Sequence, residues 1–243
     1  MKKINFDSLL VWEDEDYMVV NKPPFLSTLD DRSEAGKANL IGLARGYLPT
    51  AQVGHRLDRE TSGALAIAKN PEAYRHLALQ FEHRQVTKLY HALADGLHRF
   101  EQIEVNKPIL KLNNGLVKID YQEGKAAQTF FQTREVFQKH TLIECRPVTG
   151  RMHQIRIHLA LLKAPIAGDT QYGGQPIYLS ALKKRFNLKK DTDEQALMPR
   201  VALHAFSLAF ERRNGEKIVV EAEYPKDLRA ALAQLRKAGT GNL

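Results

Sequence analysis

Asp58 lies between Arg56 and Arg59 in the stretch His55-Arg56-Leu57-Asp58-Arg59-Glu60-Thr61-Ser62-Gly63, the densest polar cluster of the chain. Positive charge on both sides favours the carboxylate form of an aspartate. A carboxylate beside arginine serves as nucleophile, as general base or as half of a structural ion pair, and the pattern alone leaves all three open. In an extended segment Arg56 and Asp58 share a face and Arg59 points away. Thr61-Ser62-Gly63 then reads as a turn into the next strand. A second cluster runs from Thr149 to His158. A helix starting near Met152 puts His153 and Arg156 on one face, opposite its apolar side. Backbone amides at its start, with Arg151 and His153 beside them, suit a phosphate group. A solvated basic helix face fits the same residues. His153 and His158 do not have the spacing of a helical metal pair and no third ligand is near, so no metal is expected. In a third cluster Lys88, Tyr90 and Ala92 share one face of a strand. Tyr90 there fits core packing, or a ring on which a nucleobase stacks.

The elements that must position these residues follow from periodicity. Leu9 to Trp12 and Tyr17 to Val20 read as short strands joined by an acidic bend, and Asn39 to Leu48 as a short helix. Gly63 to Lys69 is a small-residue strand. Asn70-Pro71 then supplies a cap and a first-turn proline for a helix with Tyr74, Leu77, Ala78 and Phe81 along its apolar face. Lys88 to Ala94, Leu116 to Tyr121, Ala127 to Phe137 and Thr141 to Arg146 read as strands, the last three as successive antiparallel neighbours. A helix is expected over 152–163, a hairpin around Asn214-Gly215, and a closing amphipathic helix over 227–237. This predicts a single α+β catalytic domain, its core about residues 10–238, around a mixed, mostly antiparallel sheet flanked by helices. Residues 174–199 show the least pattern.

Composition narrows the partners. The 243 residues carry a formal net charge of +8, and residues 1–34 are acidic, so the basic excess lies on the body of the chain. A basic surface concentrates polyanions, of which nucleic acid is the commonest large one. The single cysteine, Cys145, excludes an internal disulfide and a cysteine zinc site. No apolar run approaches the ~18 residues of a membrane span, and Asp7 interrupts any signal-peptide core. A cytoplasmic home is expected, with no membrane partner. No dinucleotide fingerprint, phosphate loop, nucleophile elbow or zinc-protease helix occurs.

Taken in order, the three clusters resemble the RluA-type family of RNA pseudouridine synthases. HRLDRETSG (55–63) matches its HRLDxxTSG motif, KLYHALADG (88–96) its Lys-x-Tyr strand, and PVTGRMHQIRIHLALLKAPIAGDTQYGG (147–174) its TGRxHQIRxH segment and the stretch that follows. EDEDYMVVNKPP (13–24), GKAAQT (124–129) and LHAFSL (203–208) support it, and the resemblance spans about residues 10–225. It implies isomerisation of uridine in ribosomal or transfer RNA to pseudouridine, with no cofactor and no metal; a monomer is the default expectation. The N1–C1′ bond breaks, the base turns, and C5 rejoins the ribose. The resemblance implies Asp58 as the nucleophile, at C1′ or at the uracil ring, and Tyr90 stacked on the uracil and assisting loss of the C5 proton. It pairs Arg156 with Asp58. Arg56 would fill the place of the flipped base, with Arg59, Arg151, His153 and Lys88 on the RNA, where phosphate contacts position more than they specify. The lysines around 183–190 are further candidates for the RNA backbone. His204 reads better as a packed strand histidine. No separate N-terminal RNA-binding domain of the S4 type is expected. Two other classes remain in view: a non-catalytic RNA-binding or ribosome-assembly protein, and a glycosylase that would release free uracil.

Overall fold

A computed structural model describes residues 4–30, 38–183, 186–188, 192–239 and 241. In chain order the elements are β1 (Leu10–Glu13), β2 (Tyr17–Lys22), α1 (Leu40–Tyr47), β3 (Gln52–Val53), β4 (Ser62–Ala68), α2 (Pro71–Glu82), β5 (Thr87–Asp95) and β6 (Ile103–Asn106). They continue with β7 (Ile109–Lys111), β8 (Val117–Ile119), β9 (Gln128–Val136), β10 (His140–Pro147), α3 (Gln154–Leu161), β11 (Leu203–Glu211), β12 (Lys217–Glu221) and α4 (Lys226–Ala238). The architecture is α+β with mixed, mostly antiparallel strand pairing, as the sequence predicts. The chain forms two compact units, one of residues 1–89 with 204–225, the other of 90–203 with 226–243.

In the first unit β2 pairs antiparallel with β1 and β4, and β4 runs parallel to β11 at Ser62–His204 and Gly63–Ala205. Every residue of β4 is buried. Ala64, Ala66 and Ala68 face Ala73 and Leu77 of α2, because only small side chains let a helix backbone come this close to a sheet. Asn70 caps α2 by accepting the Ala73 N–H at 2.8 Å, and Asn39 does the same for α1 at Gly42. The buried stripe of α2 is Ala73, Leu77 and Gln80; Tyr74, expected there, is exposed. Gln80 belongs inside because its amide exchanges two hydrogen bonds with the Glu211 backbone.

In the second unit β5, β10, β9 and β6 pair antiparallel in that order. The strand expected over 116–121 does not join β9; it pairs with β7 in a separate hairpin. Helix α3 starts at Gln154 rather than at Met152. His153 has a left-handed φ of 51°, which ends the helical path on its N-terminal side. Arg200, fully buried, holds the start of α4 through a two-point pair with Asp227 at 2.7 and 3.1 Å. Of the basic run around 183–190, Lys184, Arg185, Lys189 and Lys190 lie outside the described residues.

Candidate active site

The first unit holds Asp58 by the backbone on either side of it. Leu57 is buried, and the Thr28 hydroxyl serves both of its polar groups, donating to its carbonyl at 2.9 Å and accepting its N–H at 3.2 Å. The Arg59 carbonyl accepts the Phe25 N–H at 2.8 Å and the Lys22 ammonium at 3.2 Å. Lys22, with no exposed surface, also donates to the carbonyls of Pro23 and Leu26 at 3.0 and 2.8 Å. All three ammonium protons therefore stitch the 23–26 loop to the segment after Asp58. The Asp58 carbonyl closes a turn with the Thr61 N–H at 3.1 Å. Asp58 itself is half-buried, while Arg56 and Arg59 on its flanks are exposed.

Thr61-Ser62-Gly63 is more than a turn. The Ser62 hydroxyl meets His204 Nδ1 at 2.9 Å, and His204 Nε2 lies 2.9 Å from the Ala222 carbonyl. A carbonyl only accepts, so Nε2 carries the proton and Nδ1 takes the serine hydroxyl. His204 is thus a packed strand histidine. Gly63 has a φ of 117°, and a Cβ there would come within 2.1 Å of the Ala205 oxygen. Upstream, His55 stacks on Phe81 at 4.3 Å and accepts the Ala66 N–H at Nε2. Burial first, and the charge of Lys88 second, push its ring down to about 3, so His55 is a neutral strut. Lys88 is half-buried. Burial, then the like charge of Arg84, lower its ammonium to about 8.

The second unit carries Tyr90 and Arg156. Tyr90 is half-buried on β5, opposite Cys145 of β10. Arg156 is buried rather than on a solvated helix face. Its Nε and Nη2 grip Asp169 at 2.6 and 2.7 Å, Nη2 also donates to Gln171 at 2.7 Å, and the guanidinium lies 4.9 Å over the Tyr172 ring. Three of its five N–H groups thus fix the plane of the fork. Asp169 is 1% exposed. Tyr172 joins the pieces, because its hydroxyl accepts the Val117 N–H at 3.0 Å and meets His153 Nδ1 at 2.9 Å. His153 and Arg156 therefore do share a face, built on Tyr172. Arg151 is separate and exposed, with Nε on the Ala126 carbonyl and its own N–H on Gln154 Oε1. Gln154 spends both amide hydrogens on Gln128 and Thr129, and His158 bridges Thr129 and Lys107, which makes both structural. Sequence reasoning gave Lys22, Asp169 and Tyr172 no role. The signal was present for the latter two in the GDTQY stretch, and for Lys22 in NKPP (21–24). Among the described residues no group of three or more His, Cys, Asp or Glu could hold a metal ion.

In the first unit, a half-buried carboxylate locked at its backbone with exposed arginines beside it suits chemistry on an anionic polymer. The chain belongs to the RNA pseudouridylate synthase family, whose profile matches residues 16–161, and it is of the RluA type. It is 34% identical over 242 residues to the ribosomal large subunit pseudouridine synthase C of Vibrio parahaemolyticus, covering 98% of this chain and 72% of the relative. It is likewise 34% identical over 236 residues to the ribosomal large subunit pseudouridine synthase D of Vibrio cholerae, covering 94% and 71%. The fold matches the solved structure of human RNA pseudouridylate synthase domain containing 4, with a TM-score of 0.74 and 23% identity over 95% of each chain. The protein is an isomerase that converts uridine in RNA to pseudouridine.

Proposed function

We propose that the substrate is large-subunit ribosomal RNA and that Asp58 is the nucleophile. Both relatives are ribosomal large subunit pseudouridine synthases, which supports the substrate. The observation that carries Asp58 is the double anchoring of its neighbours, Leu57 by Thr28 and Arg59 by Lys22 and Phe25. A nucleophile must meet its carbon within a few tenths of an ångström, and such fixing is how proximity lowers a barrier. The target uridine leaves its stack to reach the carboxylate. Asp58 forms a covalent bond, at C1′ or on the ring, as the N1–C1′ bond breaks. The base turns and C5 bonds to C1′; the bond to Asp58 breaks and returns the free carboxylate, the C5 proton is lost with the assistance of Tyr90, which stacks on the uracil, and the freed N1 takes up a proton from water. Arg156, its plane set by Asp169, supplies positive charge to balance the Asp58 carboxylate. Arg56 fills the vacated place in the RNA. Arg59, Arg151 and Lys88 hold the RNA backbone, and so does His153 from its place beside Tyr172. The two units act as one catalytic domain, in the cytoplasm, as a monomer and without a metal. No helix among the described residues is long and apolar enough to cross a membrane.

The test follows tritium release from large-subunit ribosomal RNA labelled at uridine C5, with a transfer RNA transcript in parallel. Asp58→Asn should abolish release while RNA retention on a filter survives. Release by this variant at the normal rate would overturn the nucleophile. Modification of the transfer RNA alone would overturn the substrate, and free uracil in place of pseudouridine would overturn the rejoining step.

A further inference from the structure

Phe25 has a φ of 65°, the left-handed region that a residue with a bulky side chain rarely adopts. Burial does not repay that strain, because 46% of the residue is exposed. It is held there from both sides. Its own N–H donates to the Arg59 carbonyl at 2.8 Å, and the Lys22 ammonium clamps the carbonyls of Pro23 and Leu26 around it. The residue that receives the Phe25 N–H is the one directly after Asp58. An exposed aromatic residue in a strained backbone is thus tied through its N–H to the segment directly after Asp58. Strain maintained at such a position is the mark of a ligand contact rather than of packing.

We infer that Phe25 is a stacking residue for the RNA, taking the face of a base next to the flipped uridine. This rests on the assignment of Asp58 given above. Extruding one nucleotide opens the stack and uncovers the faces of its neighbours. An aromatic ring recovers that stacking without regard to base identity, since every base offers a π-face. Phe25 therefore contributes affinity and hold on the opened strand, while Asp58 does the chemistry.

The experiment compares Phe25→Gly, Phe25→Trp and Asp58→Asn in the full chain, using large-subunit ribosomal RNA labelled at uridine C5. Glycine relieves the backbone strain, so Phe25→Gly should melt at or above the temperature of the unaltered protein. It should nevertheless raise KM about tenfold, the effect of losing one base stacked on an aromatic ring, with kcat changed much less. Phe25→Trp should restore KM. Stability and affinity moving in opposite directions is a result that a merely structural role does not produce. The inference is overturned if Phe25→Gly keeps the normal KM, if it loses stability together with activity, or if Phe25→Trp fails to rescue. Activity in Asp58→Asn would instead overturn the underlying assignment, so the two failures are distinguishable.

Discussion

Asp169→Asn tests the reasoning about Arg156 without touching the residues proposed to meet RNA. The Arg156 guanidinium and Asp169 carboxylate are 7% and 1% exposed and joined by two hydrogen bonds of 2.6 and 2.7 Å. Asparagine keeps the shape but removes the charge and turns one acceptor into a donor facing a donor. Breaking a buried pair of this kind by removing one partner costs ~3–5 kcal/mol. For a chain of this size each kcal/mol shifts the midpoint by ~2–4 °C, so the variant should melt roughly 6–20 °C lower. Gln171 and the Tyr172 ring still face the cation, which argues for the lower half of that range. The decisive measurement is a double-mutant cycle by thermal and urea unfolding followed by circular dichroism. If the loss arises from the guanidinium charge that Asp169 no longer matches, adding Arg156→Met should restore part of it, because the double variant removes that charge as well. Losses that simply add would refute the argument. Catalytic activity should be lost in every arm that lacks a fixed Arg156.

Two further outcomes follow from the same geometry. The rings of His55, His91 and His140 are pushed down to about 3, 4 and 4, in each case chiefly by burial. A histidine lowered in the folded state takes up its proton first in the unfolded chain. Stability is therefore full above the ordinary ~6.5 and falls as the pH drops from there toward about 4; urea midpoints that stay flat across that interval would contradict it. Arg59→Gln and Arg151→Gln should each weaken binding to all RNA sequences alike and reduce the slope of log affinity against log salt by about 1, which filter binding over a salt series measures.

Much of the fold is legible in local rules. Asn39 and Asn70 announce α1 and α2 because a short side chain that accepts an amide at the third position is a local event. Asn214-Gly215 announces the β11–β12 hairpin, where Gly215 takes a φ of 87°. Strands β6 and β7 escape because both are short, four and three residues, and β6 is exposed except at Val105, which leaves too few positions for an alternation to show. The start of α3 is misjudged because His153 leaves the helical path to meet Tyr172, nineteen residues downstream. The same contact explains why His153 and Arg156 lie against an aromatic ring rather than water.

For the site the division is similar. The residue types of HRLDRETSG and KLYHALADG leave the roles of Asp58, Lys88 and Tyr90 open when read alone; it is the family resemblance those motifs carry that proposes Asp58, Lys88 and Tyr90 for the site. What those motifs do not contain is the source of each residue's constraint. That Lys22 reaches Arg59 across 37 positions, that Thr28 brackets Leu57 across 29, and that Asp169 rather than a neighbour grips Arg156 across 13 are facts of tertiary structure. Buried lysine, arginine and aspartate are stable only where the whole fold completes their hydrogen bonds, and no local pattern encodes which backbone carbonyl or carboxylate will arrive there. The reactive groups are written in the sequence; their rigidity, and the left-handed backbone of Phe25, exist only once distant segments have packed.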